Sequence, residues 1–197
     1  MLQRIRLAMQ EDDSTQLKGT VEMDETFVGG KAKNMHASKR AKLYNTPGTV
    51  KGKTVVVGML ERGGKVRAGV VAERIKAVLL EIAHTHIAPG STLMTDELGA
   101  YKGVDLQHEV INHAEACVNS HIHTNGIENF WSLLKRGLGG TYISVEPFHL
   151  FRYIDEQMFR YNNRRDCNDR IRFENVMAGI FGKRLTYADL TGAQAAH

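Results

Sequence analysis

Cysteine is scarce: Cys117 and Cys167 are the only two in 197 residues, so at most one disulfide can form and no paired-cysteine metal pattern exists. Both are expected to be reduced thiols. Long apolar runs are missing as well, none approaching the roughly 20 residues that a membrane-spanning helix requires. The opening MLQRIRLAMQEDD has neither the apolar stretch nor the cleavage site of a secretory leader. The expected compartment is therefore the cytoplasm, with no membrane partner. No segment repeats and none is compositionally biased. An apolar content of 42% and a charged content of 24% exclude a disordered chain, and the length suffices for one domain with a buried core.

A strong excess of one charge is also lacking. The net charge of +4 is small, so its distribution matters more than its total. Between Lys31 and Lys53 the chain reads KAKNMHASKRAKLYNTPGTVKGK, with Lys31, Lys33, Lys39, Arg40, Lys42, Lys51 and Lys53 and no acid. Carried on a loop, such a block neutralises phosphates and releases counterions, giving affinity for nucleic acid without sequence choice. The plainer reading is a solvated loop.

Hydrophobic periodicity supplies the element order. Leu2, Ile5 and Met9 stand at helical spacing and read as the end of a helix. TVEMDETF, from Thr20 to Phe27, alternates with Val21 and Met23 on one face and Glu22 and Asp24 on the other, as a strand does. TVVVGMLERG and KVRAGVVA form a hairpin through Gly63-Gly64. A helix follows with Ile75, Val78, Leu79 and Ile82 on one face, ended by Pro89-Gly90. The strand STLMT runs directly into Asp96, and HEVIN suggests a further strand. A helix starting near Thr124 or Asn125 stops at Gly137, with Gly139-Gly140 preventing its continuation. A last amphipathic helix carries Leu150, Ile154, Met158 and Tyr161, with Pro147 at its first turn. This order predicts an α/β fold with a mixed sheet and helices on its faces. Ribonuclease H-like folds share it.

Three acids stand out against that frame: Asp24 within the first strand, Asp96 at the end of a later one, and Glu128 in the first turn of a helix. Strand ends and helix starts converge at one edge of a sheet. Gathered carboxylates repel one another unless a divalent cation neutralises them, and their hard oxygens suit Mg²⁺ or Mn²⁺. Two ions roughly 4 Å apart perform phosphoryl transfer, one activating the attacking oxygen and one stabilising the leaving oxygen. A single strand Asp is more often a surface residue, so the surrounding sequence must decide.

VEMDETFVGGK, TDELGAY, HTNGIENFWSLLKRGLGGTY and HLFRYIDEQMFRYNNR resemble, in this order, the motifs of bacterial insertion-sequence transposases of the DDE superfamily, in the ISXO-like branch. The resemblance covers about Leu17 to Arg165. It implies a remnant of an N-terminal helix over residues 1–16, a ribonuclease H-like catalytic domain over 17–165 and a C-terminal helical extension over 166–197. It further implies that Asp24 and Asp96 bridge two Mg²⁺ or Mn²⁺ ions. At the third position the branch varies among Glu, Asn and His. Glu128 is the first choice and Asn125, on the same helical face, its rival. Lys135, two turns beyond Glu128, matches a lysine that contacts DNA phosphate near the cut, with Arg136 beside it. The activity implied is DNA strand cleavage and strand transfer, on transposon ends and target DNA, by a homo-oligomer assembled on the DNA. Relatives carry a zinc ribbon and a helix-turn-helix region before this domain, whereas this sequence begins with what looks like the last helix before it.

Four further features have two readings each. Trp131 either fills the core or stacks on an unpaired base. Asn162, Asn163, Arg164 and Arg165 form a polar helix end that can meet DNA backbone. His108, His113, Cys117, His121 and His123 include zinc-ligand types but match no standard closed pattern, and loops before active-site helices often carry histidines for local hydrogen bonds. The whole chain reads alternatively as an inactive DNA-binding remnant, or as a nuclease that cuts without joining.

Overall fold

The computed structural model describes residues 1–11, 14–30, 36–44, 52–96, 101, 106–110, 125–142, 145–165 and 167–192, with the backbone alone at 39 and 42–44. The chain divides into a sheet unit, Asp13–Ser144, and a helical unit that joins Met1–Asp12 to Val145–His197.

In the sheet unit the alternating run becomes β1 (Thr20–Val28), at the centre of a five-stranded sheet. On one side β1 pairs antiparallel with β2 (Thr54–Glu61), which pairs antiparallel with β3 (Val66–Val71). The predicted hairpin is present, and Gly63 takes the positive φ of 77° that its turn requires. On the other side β1 pairs parallel with β4 (Thr92–Thr95), and β4 pairs parallel with β5 (Gln107–Val110). The expected strand HEVIN thus starts one residue earlier, and its last two residues lie outside the described ones. This is the mixed α/β architecture implied by the element order.

Both faces of β1 are covered, and its period of two sorts them. Val21 and Met23 join Val57, Met59 and Leu93 in a core closed by Leu79 and Ala83 of α3 (Lys76–His86) and by Tyr101. Ile75, which was expected on the packed face of that helix, is 47% exposed. Glu22, Asp24 and Thr26 face the other way, towards α4 (Asn125–Arg136), whose Ile127, Phe130, Trp131 and Leu134 are buried. Gly126 costs α4 about 1 kcal/mol of intrinsic propensity. Each buried apolar side chain contributes about 1.5–3 kcal/mol, so packing decides that this segment is helical.

Two local expectations change. The basic block is not wholly a loop, since Ala37–Tyr44 forms a helix, α2, from residues that mostly favour helix. The chain also winds on past Arg136 in a π turn, Gly137–Thr141, closed by the N–H of Tyr142 donating to the carbonyl of Gly137 at 3.2 Å. Glycines without Cβ atoms allow the wider i→i+5 winding where an ordinary C-terminal stop was expected.

In the helical unit α1 (Leu2–Ala8) packs with α5 (Leu150–Asn162) and α6 (Asp169–Ala178). The apolar stripe read for α1 is not its buried face: Leu2 is 64% exposed and Ile5 37%, whereas Arg6 and Ala8 are buried. Arg6 is tolerated there because its Nε donates to Glu156 at 2.8 Å and its guanidinium lies 3.9 Å from the Tyr153 ring centroid. Leu150, Ile154 and Tyr161 of α5 are buried as predicted, and Pro147 opens a 3₁₀ turn just before that helix. A short α7 (Tyr187–Thr191) starts with a capping box between Thr186 and Asp189. The sequence-based span 17–165 therefore reaches past the sheet unit, because Leu150–Asn162 packs within the helical one.

Candidate active site

Asp24 sits in the middle of β1, opposite Gly58 of β2. On the far side, β1 and β4 pair Thr20 with Thr92 and Glu22 with Met94. Two residues further in the same parallel register come Asp24 and Asp96. Side chains at one level of neighbouring parallel strands lie on one face, so the strand alignment itself brings the two aspartates together.

Glu128 arrives on α4, and a buried acid holds that helix in place. Glu22 is 1% exposed. Its Oε2 accepts the Ile127 N–H at 2.9 Å, and its Oε1 pairs with Arg62 Nε at 2.9 Å. One of the free N–H groups of the first helical turn is thereby satisfied by a negative charge placed where the helix dipole favours it. Asn125, Glu128, Ser132 and Lys135 are all exposed along one face of α4, as the spacing predicted, and Arg136 is exposed beside them.

The electrostatics follow from this placement. Burial pushes the Asp24 carboxyl above its usual range and outweighs two hydrogen bonds that work the other way. Its Oδ1 accepts the N–H of Glu25 at 2.7 Å, and its Oδ2 accepts the indole N–H of Trp131 at 2.9 Å. The negative charges of Asp96 and Glu128 raise it further, so both acids lie near enough for their charge to act on Asp24.

Glu25 points to the opposite face of β1, where its side chain is 2% exposed. It accepts a hydrogen bond from the Tyr101 hydroxyl and pairs with Arg74 at 3.2 Å. Burial raises its pKa, with Tyr101 and Arg74 opposing that rise. The Tyr101 hydroxyl is likewise pushed upward, by burial first and by Glu25 next. Thr95, fully buried before Asp96, donates to the carbonyl of Asp96 at 3.0 Å and meets His108 Nε2 at 2.9 Å. Burial lowers the pKa of His108, whose ring also stands edge-on to Tyr101.

The donor set is all carboxylate oxygen, the chemistry that Mg²⁺ and Mn²⁺ take. Each Asp24 oxygen uses one lone pair on its hydrogen bond and keeps another. Among the described residues no three His, Cys, Asp or Glu side chains are gathered closely enough to cage an ion. The residues fit a divalent cation by donor type and by charge.

Other predicted residues fall elsewhere. Arg40 is half-buried in α2, Lys53 is exposed, and Lys39 and Lys42 belong to the same helix. Lys31, Lys33 and Lys51 lie outside the described residues, as do His113, Cys117, His121 and His123. Cys167 is a free thiol. In the helical unit Arg164 donates to the carbonyl of Tyr161 at 2.6 Å and stacks 3.5 Å from its ring centroid. Asn162 and Asn163 both donate to Glu11 there, at 2.7 and 3.0 Å.

Sequence reading missed Glu22, Glu25, Tyr101 and the use made of the Trp131 N–H. One signal was present: an isolated glycine inside a strand, Gly58, marks a close approach. A Cβ there would lie 2.5 Å from Trp131 Cη2. Trp131 is indeed a core residue, 4% exposed.

No curated protein matches the chain. Residues 16–162 match the family model of the ISXO2-like transposase domain, which covers the whole sheet and both acid-bearing strands. The mixed five-stranded sheet with flanking helices is the ribonuclease H-like arrangement of that DDE group.

Proposed function

The chain belongs to the ISXO2-like transposase domain family, and on that premise we propose that its sheet unit cuts DNA at a transposon end and joins the freed 3′-hydroxyl to target DNA. Asp24, Asp96 and Glu128 hold two divalent cations in this reading, Mg²⁺ or Mn²⁺. Asn125 is the alternative third ligand. The observation that carries it is the parallel register that sets Asp96 beside Asp24, with Glu128 close enough for its charge to act on Asp24.

When bound, the cations supply Lewis-acid activation of the attacking oxygen and neutralise charge on the leaving one. The chain's own groups do the rest. Asp24 presents its oxygens from the middle of the central strand and Asp96 from the position just past the end of β4. Glu22 sets the start of α4 and so sets Glu128. Lys135 and Arg136, in the exposed last turn of α4, hold DNA phosphate near the cut. Lys31, Lys33, Lys39, Arg40 and Lys42 extend the contact along the DNA backbone, and Arg164 of the helical unit is a DNA-binding residue in its own right. Water and the DNA 3′-hydroxyl act in turn as nucleophiles, with no covalent protein intermediate. The working form is a homo-oligomer assembled on DNA in the cytoplasm, at the nucleoid. Among the described residues no helix is long and apolar enough to cross a membrane.

The deciding assay incubates the chain with supercoiled plasmid, a transposon-end duplex and Mg²⁺ or Mn²⁺. Cleavage followed by joined products is expected, with Asp96→Asn abolishing both. Cutting without joining points to a simple nuclease, and DNA binding without cutting points to an inactive remnant. Full activity in Asp96→Asn removes Asp96 from the site.

A further inference from the structure

Trp131 is 4% exposed, so its indole N–H needs an acceptor, and the acceptor it has is a carboxylate of the candidate site. Its indole rests on the bare backbone of Gly58, the residue directly opposite Asp24 across β1 and β2. A Cβ at position 58 would come within 2.5 and 2.6 Å of two indole carbons. The Phe130 ring, 5.2 Å away and tilted by 55°, backs the indole from its own helix. So wedged, the indole directs Nε1–H at Asp24 Oδ2, at 2.9 Å. The backbone N–H of Glu25 fixes the other oxygen at 2.7 Å. Two donors set the plane of one carboxylate and leave a lone pair on each oxygen.

The type of donor matters. Lysine or arginine would also orient Asp24, but its positive charge would repel the cation that the site must attract. An indole N–H donates without carrying net charge. We propose that Trp131, seated on Gly58, is a positioning residue that orients the Asp24 carboxylate for a divalent cation without neutralising it. This rests on the reading above in which Asp24 is a metal ligand. It adds that α4 contributes to the metal site twice, once through Glu128 and once through the indole that aims Asp24.

The chain supplies its own reporter, because Trp131 is its only tryptophan. In the full chain without DNA, Mn²⁺ is titrated while indole emission is followed, and its affinity is measured in parallel by calorimetry. Emission is expected to fall and to saturate with the calorimetric Kd, and this response is expected to vanish in Asp24→Asn. Trp131→Phe keeps an aromatic ring but loses the indole N–H, and its Mn²⁺ affinity is expected to drop by about 10-fold or more. Leu79→Ala, which removes buried packing in the core on the other face of the sheet and no polar group, lowers the melting temperature and leaves the Mn²⁺ Kd unchanged. If Trp131→Phe binds Mn²⁺ as the unchanged chain does while Asp24→Asn does not, the role of Trp131 is overturned and the metal site stands. If the unchanged chain fails to bind Mn²⁺, or Asp24→Asn binds it equally well, both fall. Should Trp131→Phe not fold, the emission arm decides: binding seen by calorimetry with no change in indole emission overturns the proposal.

Discussion

Asp24, proposed above as a metal ligand, is held in a state that carries a cost for folding. Its carboxyl is held above the usual range mainly by burial, with Asp96 and Glu128 adding to the rise. The folded state therefore holds that proton more tightly than the unfolded chain does. The ionised group opposes folding above the folded pKa, and its effect is relieved as pH falls through that value towards the unfolded one. Without metal, Asp24→Asn is accordingly expected to melt higher than the unchanged chain near neutral pH, and the gap should narrow in acid. Thermal melts in chelator at several pH values measure it; a lower melting temperature across the range would show that the two hydrogen bonds outweigh burial. The acids at 24 and 96 stand out in the sequence through the family motifs around them, VEMDETFVGGK and TDELGAY, since a lone strand aspartate is more often a surface residue. Glu22 was not readable as a structural acid. Its role depends on Ile127 and Arg62, which approach it only after folding, and no local pattern encodes such a partner. Glu25 is similar, since alternation places it on the apolar face but cannot reveal Arg74 and Tyr101 waiting there.

Among the elements, α4 carries the site, and its attachment is testable. Glu22→Ala removes the acceptor for the Ile127 N–H and leaves Arg62 without its buried partner. The expected loss is about 2–3 kcal/mol in urea unfolding, with DNA cleavage falling because Glu128 is no longer fixed. Gly126→Ala tests the same junction sterically: its Cβ would lie 2.4 Å from Leu60 Cδ2 and 2.8 Å from Glu22 Oε2, for a cost of about 1–3 kcal/mol. The basic block makes a different prediction. Neutralising Lys39, Arg40 and Lys42 together should flatten the log-log dependence of DNA affinity on salt by up to about 3. An unchanged slope in fluorescence anisotropy would take that segment off the DNA path. The strands were legible because a period of two survives burial on either face. The helix over Ala37–Tyr44 was not, because its basic and small residues form no apolar stripe, and the π turn after Arg136 was hidden because its glycines signal a stop as readily as a wider winding.

At the scale of the molecule, the two units have separate supports. The helical unit is tied by Arg6 and Glu156, whose side chains are only 5% and 9% exposed. Removing one partner of a buried pair costs about 3–5 kcal/mol, so Arg6→Ala should melt the helices of that unit earlier. Circular dichroism would report the early loss while indole emission, confined to the sheet unit, keeps its own transition; a single shifted transition seen by both probes would mean that the units unfold as one. The parallel pairing of Thr20 with Thr92 also has a bearing on synthesis. β1 leaves the ribosome before β4, and α4 follows later still, so the first aspartate must wait for its two companions to be made. A nascent chain that ends before α4 lacks Glu128 and the Ile127 N–H that Glu22 accepts, so the proposed metal site is incomplete although the basic block is already made. The order of the elements thus acts as a timer that leaves the proposed metal site incomplete until α4 has been made.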